Sequence, residues 1–301
     1  MNKRLGYRLI RLGRKAFART PIQRLKITGI VYEGIFRSMY PDAEATAEYK
    51  GVKLTVPTKD LSMVPSILGG YFESLELDYF ARAAAASKTV VDVGANIGLY
   101  SCVAATRLQP GGVVHAFEPI AENLAFLQRN ILNNNLTNVD VHEEAVGEEE
   151  GNLEIFVSDK LIGTHSAAKA YSHGNSSVTV PMTSVDAFVE SHGIAQVDLL
   201  KIDVEGYDGY VLKGAIRTIA RHKPTIFIEY YPEAMKECGF EPSHFAELLF
   251  ANYRHCLKLD EVNHKATALT GEALLSLEVY ANENLIFTNQ ESLLSEPASK
   301  V

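Results

Sequence analysis

Four acidic side chains follow predicted strands at the points where those strands end. They are Asp203, Glu205, Asp208 and Glu229. The carboxyl ends of parallel strands meet at one edge of a sheet, so these carboxylates are expected to lie close together. Carboxylates gathered in this way repel one another, which raises their pKa values unless a cation, a hydrogen-bond donor or a metal compensates. The pattern indicates a site for a positively charged group such as a sulfonium, while each carboxylate taken alone is also explained as a helix cap or a solvated strand end.

A glycine-containing turn provides a second candidate site. Segment Val90–Ser101 reads VVDVGANIGLYS, which is typical of a strand, a turn and a helix that hold a nucleoside cofactor. Gly94 lets the chain turn and a ligand approach the backbone, and Gly98 lets the helix start close to the sheet. Dinucleotide binders typically carry GxGxxG here, and Asn96 stands where their pyrophosphate-contacting glycine would be. The DxGxxxG pattern that begins at Asp92 therefore favours a cofactor without a pyrophosphate.

An acidic residue after the next predicted strand extends this site. Glu118 stands twenty residues after Gly98, where a carboxylate can accept hydrogen bonds from both hydroxyls of a ribose. Enzymes that bind NAD share this feature, so it indicates a nucleoside but not which one. The alternative is a carboxylate that caps the helix beginning after Pro119.

A sheet must position these residues, and the hydrophobic pattern predicts one. Short apolar strands are predicted at Thr89–Val93, Val113–Glu118, Val139–Glu143, Asp198–Asp203, Thr225–Glu229, Tyr253–Asp260 and Asn284–Thr288. Helices are predicted between and after them at Leu99–Leu108, Ala121–Asn134, Tyr207–Arg221 and Glu247–Tyr253. This alternation predicts an α/β fold whose mostly parallel, seven-stranded sheet carries helices on both faces. Ligands of such sheets bind beyond the carboxyl ends of the strands.

The rest of the chain divides around this sheet. A basic N-terminal arm covers residues 1–40, a lead-in hairpin and helix cover 41–88, the sheet domain covers 89–290 and a tail covers 291–301. The hairpin is predicted to turn at Lys50-Gly51, and the helix to cover residues 71–86. Residues 147–157 are predicted as an added antiparallel strand, and residues 158–177 as a long loop of the kind that forms lids or binds substrates.

The charge of the chain is unevenly distributed. The net charge is −8, yet residues 1–26 carry nine lysines and arginines and no acidic residue. A basic amphipathic helix in this arm could lie on an anionic membrane surface, and the alternative is an arm that packs on the acidic body of the protein. The body lacks a basic stripe, so no nucleic-acid partner is expected. Three widely spaced cysteines form no disulfide framework, which favours a reducing, cytoplasmic location.

The chain resembles the FkbM family of S-adenosylmethionine-dependent methyltransferases over residues 68–290. The matching segments, in the family's order, are VVDVGANIGLYS (90–101), FEP (117–119), NLAFLQRNILNNNL (123–136), EEAVG (143–147), SVDAFVESHGI (184–194), DLLKIDVEGYDGYVLKGA (198–215) and PTIFIEYYPE (224–233). KIDVEG is the most specific of these elements. The chain departs from the family at Asp208, where members commonly carry Glu, so the charge is kept but its reach is shorter. The arm before residue 40 lies outside the resemblance.

The resemblance implies a Rossmann-like class I methyltransferase fold and S-adenosylmethionine as the cofactor. Gly94, Asn96 and Gly98 would line its methionine part, and Asp203 would lie near the sulfonium and the amino group. Glu118 would bind the ribose, and Glu144, Ala145 and Val146 would flank the adenine. Asp92, Pro119 and Asn123 are further predicted cofactor contacts. Family members mostly methylate hydroxyl oxygens of sugars, polyketides or related metabolites, so the implied acceptor is a small-molecule, glycan or glycolipid hydroxyl.

Methyl transfer to oxygen requires alignment of donor and acceptor and removal of the hydroxyl proton. The candidate bases are Glu205, Asp208 and Glu229, with His165 or His173 of the long loop as alternatives. A carboxylate of the 203–208 turn is favoured because the sheet fixes its position. A divalent cation held by Asp203, Glu205 or Glu229, with magnesium or calcium best suited to oxygen ligands, would instead lower the pKa of the hydroxyl.

Two other functions remain open on the sequence alone. A nicotinamide-dependent oxidoreductase is supported by Glu118 and opposed by Asn96. A non-catalytic module whose arm binds a membrane would depend on residues 1–26 and not on Asp203.

Overall fold

The computed structural model describes residues 33–34, 36–157, 166–167, 176–278 and 281–296. The predicted arm up to residue 32 and most of the long loop, including His165 and His173, lie outside the described residues. Within the part that is described, no helix is both long enough and apolar enough to cross a membrane.

Strands and helices alternate along the described chain. The strands are β1 (Glu44–Tyr49), β2 (Val52–Pro57), β3 (Thr89–Val93), β4 (Val113–Phe117), β5 (Val139–His142), β6 (Ala145–Val146), β7 (Gly151–Val157), β8 (Ser176–Thr183), β9 (Leu199–Ile202), β10 (Thr225–Tyr230), β11 (His255–Asp260), β12 (Lys265–Ala268) and β13 (Glu283–Thr288). The helices are α1 (Val64–Leu68), α2 (Ser74–Ala85), α3 (Leu99–Ala105), α4 (Ala121–Asn133), α5 (Val185–Ser191), α6 (Asp208–Lys213), α7 (Ile216–His222), α8 (Pro232–Glu237), α9 (Pro242–Phe250) and α10 (Gly271–Leu275).

An eight-stranded sheet forms the centre of the protein, in the order β12-β11-β13-β10-β9-β3-β4-β5. Strands β10, β9, β3, β4 and β5 run parallel to one another. Strand β13 is antiparallel to both β10 and β11, and β12 is antiparallel to β11. The predicted α/β class is confirmed, while the sheet has one strand more than the predicted seven. The additional strand is β12, whose four residues are mostly exposed and therefore lack a hydrophobic signal.

Successive side chains of a strand point to opposite faces of the sheet, and in this protein both faces are buried. Val90 packs into one hydrophobic cluster and its neighbour Val91 into another. Leu199 and Leu200 divide between the same two clusters in the same way. Burial on both faces explains why these strands read as continuous apolar runs rather than as alternating ones.

The lead-in shares one of these cores with the sheet. Leu54 of the hairpin and Phe80 of α2 belong to the same cluster as Phe227 of β10, and the Phe80 and Phe227 rings meet edge to face at 5.3 Å. Phe36, which falls within the predicted arm, is fully buried in this cluster. The hairpin turns at Lys50 and Gly51, both with positive φ, as a two-residue turn that matches strand twist requires.

One predicted helix is divided into two. A single helix was expected over Tyr207–Arg221, but α6 ends at Lys213 and α7 begins at Ile216. The carboxylate of Asp186, on α5, accepts hydrogen bonds from the backbone N–H groups of Arg217 and Thr218. This bond pair caps the start of α7 from outside, so the second helix begins anew instead of continuing the first.

A small three-stranded sheet, in the order β6-β8-β7, stands beside the main one. Strand β7 confirms the antiparallel strand predicted within residues 147–157. The sequence does not predict its partner β8, because residues 176 and 177 fall in the predicted loop and Pro181 weakens the strand signal of the remainder.

Candidate functional site

A cavity of about 300 Å³ opens at the carboxyl ends of β3, β4, β9 and β10. The strand order reverses between β3 and β9: β4 and β5 follow on one side of β3, and β9 and β10 lie on the other. Ligands of open α/β sheets typically bind at such a switch point. Most of the predicted site residues line it: Gly94, Asn96, Glu118, Pro119, Asn123, Glu144, Ala145, Val146, Asp203, Glu205 and Glu229. The fold thus brings together residues that lie up to 135 positions apart in the chain.

Three predicted residues do not line the cavity, and each has a structural contact instead. Asp92 is buried in β3, where its carboxylate accepts a 2.5 Å hydrogen bond from the Ser101 hydroxyl. Gly98 begins α3 at a point where a Cβ would meet the side chain of Leu127. Asp208 is buried, and its carboxylate accepts the backbone N–H groups of Val204 and Gly206.

The turn after β3 has a backbone that few residues adopt. Gly94, Asn96 and Gly98 all have positive φ, at 84°, 51° and 85°. Asn96 is one of the residue types that tolerate this conformation best after glycine. The Gly94 and Ala95 N–H groups donate to the Phe117 carbonyl at the end of β4, and the Asp203 N–H donates to the Val93 carbonyl, so the turn is bonded to the ends of both neighbouring strands. The glycine pattern predicts where this turn lies in the chain, and its hydrogen bonds to the neighbouring strands fix its orientation.

Glu118 is held by backbone groups on two sides. Its carboxylate accepts the N–H of Asn96 at 2.8 Å and the N–H of Ile120 at 2.9 Å. Ile120 is the residue immediately before α4, so the helix-capping alternative describes a real contact. Burial raises the pKa of Glu118 to about 7, while these two amide bonds act in the opposite direction. Each carboxylate oxygen has a second lone pair, so the group can still accept bonds from a ligand.

The turn after β9 carries three carboxylates, which differ in their hydrogen-bond partners. Asp203 accepts a 3.0 Å hydrogen bond from the Lys201 ammonium, and Asp208 is bonded to backbone N–H groups. Glu205 has a left-handed backbone with φ of 50°, and its carbonyl oxygen accepts the Ser166 hydroxyl at 2.8 Å. Burial and the charges of Asp203 and Asp208 raise the pKa of Glu205 to about 8.

Glu229, at the end of β10, completes the acidic side of the cavity. Its Oε2 atom is buried and has no hydrogen-bond partner among the described residues. Burial and the charge of Asp203 raise the pKa of Glu229 well above its ordinary value. A buried oxygen of this kind is expensive to leave unsatisfied, so it favours a ligand that supplies a donor or a positive charge.

A buried network that the sequence analysis did not identify stands behind these carboxylates. The Lys201 ammonium lies 3.0 Å from Asp203, 3.6 Å from Glu76 and 4.7 Å from the centre of the Tyr100 ring. Burial lowers the pKa of Lys201, but Asp203, Glu76 and Glu73 raise it by more, so the ammonium stays charged. The KIDVEG motif contains Lys201, and the signal for its role is that a lysine stands within a buried strand.

The cavity also has walls from outside the parallel sheet. Met63 and Glu73 line it from the lead-in, and Leu153 and Ile155 from the small sheet. These residues carry no motif, and only the packing of their elements against the sheet edge brings them to the site.

The described residues contain no group of three or more histidines, cysteines, aspartates or glutamates arranged to hold a metal ion. Among the described residues, Lys201 and backbone N–H groups hold Asp203 and Asp208, while Oε2 of Glu229 has no hydrogen-bond partner. The predicted divalent cation has no support in this arrangement.

The sequence model of the methyltransferase FkbM domain matches residues 92–256, which is more than half of the chain. The match contains the turns after β3, β4, β5, β9 and β10 and therefore the predicted site residues.

Two curated relatives are similar over part of the chain. Methyltransferase 1 of Beauveria bassiana is 29% identical over 144 residues, which cover 42% of this chain and 57% of that protein. Hexuronic acid methyltransferase AglP of Haloferax volcanii is 30% identical over 123 residues, which cover 41% of this chain and 48% of that protein. The matched segments thus span about half of the length of these relatives. Among solved structures, methyltransferase FkbM from Methylobacillus flagellatus is 18% identical with a TM-score of 0.42, covering 76% of this chain and 55% of that one.

Proposed function

Since the chain belongs to the FkbM family of methyltransferases, we propose that it transfers a methyl group from S-adenosylmethionine to a hydroxyl oxygen of a sugar, glycolipid or related metabolite. The observation that carries this proposal is the carboxylate-lined cavity at the sheet edge, which lies almost wholly within the matched segment. When bound, the cofactor supplies a methyl carbon attached to a positively charged leaving group. The fixed negative charges of the cavity suit such a group.

The turns after β3, β4 and β5 would hold the cofactor. Gly94 and Asn96 would face its methionine part, and Glu118 would accept the ribose hydroxyls with lone pairs that the Asn96 and Ile120 amides leave free. Glu144–Val146 would flank the adenine, and Pro119 and Asn123 would be further contacts with the cofactor. Asp203 would lie nearest the positive charge.

Glu205 is our candidate for the general base. Asp203 is already bonded to Lys201, and Asp208 to two backbone N–H groups, which leaves Glu205 and Glu229 to meet the acceptor. Glu205 has a pKa of about 8, raised by burial, and a base works best when its pKa lies near the working pH. Glu229, whose pKa lies well above the ordinary value because it is buried, would hold the acceptor by a hydrogen bond.

The nicotinamide alternative is not favoured by the turn after β3. The N–H of Asn96 bonds to Glu118, so it is not directed at a pyrophosphate as the corresponding backbone of a dinucleotide binder would be.

Calorimetric titration with S-adenosylmethionine, S-adenosylhomocysteine and NAD tests the proposal. We expect the first two to bind and NAD not to bind. Glu118→Gln should weaken S-adenosylhomocysteine by about 10- to 100-fold, the range for losing hydrogen bonds to a charged group. Glu143→Gln, an exposed carboxylate just after β5, is the matched control and should leave the affinity unchanged. Failure of both adenosyl ligands to bind at millimolar concentration would end the proposal.

The proposed acceptor is a sugar hydroxyl. The relative from Haloferax volcanii is by name a hexuronic acid methyltransferase, which supports a sugar acceptor here.

We propose that residues 1–26 contact anionic lipid, which would bring a lipid-linked glycan to a peripherally bound enzyme. Co-sedimentation with phosphatidylserine vesicles should then fall when residues 1–26 are deleted or when salt is added, and insensitivity to both would refute the contact.

A further inference from the structure

Glu73 is a cavity-lining carboxylate outside the segment matched by the family model. It is the residue immediately before α2, and its backbone is left-handed with φ of 40° and ψ of 45°. A glutamate rarely adopts this conformation, and residues held in it tend to lie at ligand-binding sites. Its carboxylate oxygen Oε2 accepts a 2.7 Å hydrogen bond from the Tyr100 hydroxyl.

Tyr100 fixes which end of the cavity Glu73 faces. It lies in the first turn of α3, directly after the turn that contains Gly94 and Asn96. Under the proposed function this turn encloses the methionine part of the cofactor. The Glu73 carboxylate is therefore placed at the methionine end, and the proposed adenine contacts, Glu144–Val146, follow a different strand, β5.

Negative charges outnumber positive ones around Glu73. Lys201 is the ammonium that acts on it, and Lys201 already lies 3.0 Å from Asp203 and 3.6 Å from Glu76. Burial and the charge of Glu76 raise the pKa of Glu73 well above its ordinary value. One ammonium shared by three carboxylates leaves room for a second positive group at this end.

We infer that Glu73 binds the α-ammonium group of the methionine part of the cofactor, with Tyr100 holding the carboxylate in position. An ammonium group has three N–H donors for a carboxylate, whereas a sulfonium has none. Oε2 accepts from Tyr100, so Oε1 is the oxygen that would receive the ligand's N–H. This inference rests on the proposed function, and it makes the lead-in a part of the cofactor site.

Three ligands separate the groups that Glu73 could recognise. S-adenosylmethionine carries both the sulfonium and the ammonium, S-adenosylhomocysteine carries the ammonium alone, and 5′-methylthioadenosine carries neither. Calorimetric dissociation constants are measured for all three with the wild type, Glu73→Gln and Asp78→Asn. Asp78→Asn removes an acidic charge from α2 at a partly exposed ion pair with Lys50 and is the matched control.

We expect Glu73→Gln to weaken S-adenosylmethionine and S-adenosylhomocysteine by the same factor, about tenfold or more, and to leave 5′-methylthioadenosine unchanged. Asp78→Asn should change none of the three. Weakening of S-adenosylmethionine alone would assign Glu73 to the sulfonium, and equal weakening of all three would assign it a purely structural role. Either result, or no change at all, overturns the inference.

The proposed function and this inference fail in different ways. A wild-type protein that binds none of the adenosyl ligands refutes the function, whereas a wild type that binds them and a Glu73→Gln variant that binds them equally well refutes only the inference. If Glu73→Gln does not fold, Tyr100→Phe keeps the ring and removes the hydroxyl that holds Glu73. It should then weaken the two amino-acid ligands relative to 5′-methylthioadenosine, and an unchanged ratio would overturn the inference.

Discussion

The carbonyl oxygen of Asp203 lies so close to the Cα of Gly94 that no Cβ fits between them. This contact joins the turn after β3 to the turn after β9, two segments that are adjacent in the sheet but more than a hundred residues apart in the chain. These two turns, which both line the cavity, are therefore in backbone contact here, and a side chain at position 94 would separate them.

Gly94→Ala should abolish cofactor binding even where the protein still folds. The added Cβ would overlap the Asp203 carbonyl, and a left-handed backbone costs a non-glycine residue about 1–2 kcal/mol besides. Gly111→Ala is the matched control, because Gly111 has φ of 77° but open space around its Cα. We expect only the Gly94 variant to lose affinity for S-adenosylhomocysteine, and equal losses in both would show that conformation, not contact, is responsible.

Asp208→Ala should lower turnover while leaving cofactor affinity nearly unchanged. Its carboxylate holds the N–H groups of Val204 and Gly206, and these two residues flank Glu205. Without these bonds the turn that carries the proposed base loosens, and a base misplaced by about 1 Å loses on the order of 100-fold in rate. Steady-state kcat and the calorimetric Kd for S-adenosylhomocysteine separate the two effects, and a loss of affinity as large as the loss of kcat would contradict this role.

The rate of methyl transfer should rise with pH up to about 8. Burial and the charges of Asp203 and Asp208 raise the pKa of Glu205 to about 8, and a base must be ionised to accept a proton. Below that pH the fraction of ionised Glu205 falls about tenfold for each pH unit, so the logarithm of kcat/KM for the acceptor, measured at saturating cofactor, should rise with a slope of about one and then level off. Glu205→Gln should lower kcat by about 10²- to 10⁴-fold and remove this rise. A wild-type profile that stays flat between pH 6 and 8 would argue against Glu205 as the base.

A histidine cluster should make the protein sensitive to acid. Burial lowers the pKa of His142 to about 4, and its ring stacks on Phe117 at 4.5 Å and approaches His115 to 3.4 Å. Between pH 6.5 and 4 the unfolded chain binds a proton at His142 that the folded chain does not, so this residue's contribution to the free energy of unfolding falls as the pH falls.

Replacement by Phe isolates that contribution from the buried carboxylates, which titrate in the same range. Urea unfolding at pH 7 and pH 4.5 should show His142→Phe gaining stability relative to the wild type at the lower pH. His244→Phe, at an exposed position on α9, should show no such gain. A His142→Phe difference that does not change with pH would refute the sign of this effect.

The sequence was sufficient to predict an element whose position depends on its own hydrophobic pattern and turn residues. Strand β3 and the starts of α3 and α4 lie where the hydrophobic pattern and the glycines place them. The sequence was insufficient where a contact with a distant residue determines the structure. Asp186 caps α7 and so divides it from α6. Hydrogen bonds with Ser101 and with the Val204 and Gly206 backbone hold the predicted site residues Asp92 and Asp208, which do not line the cavity, whereas packing of the lead-in brings Glu73 to it.

Glu118 has one consequence for how the cofactor binds. With its pKa raised by burial to about 7, a substantial fraction of this group carries a proton at neutral pH before any ligand arrives. Ribose hydroxyls that donate to the carboxylate favour its ionised form, so complex formation expels that proton into the solvent. The heat measured on binding then includes the heat with which the buffer captures the proton. Titrations in phosphate and in Tris should differ in enthalpy at the same affinity, and the difference counts the protons released.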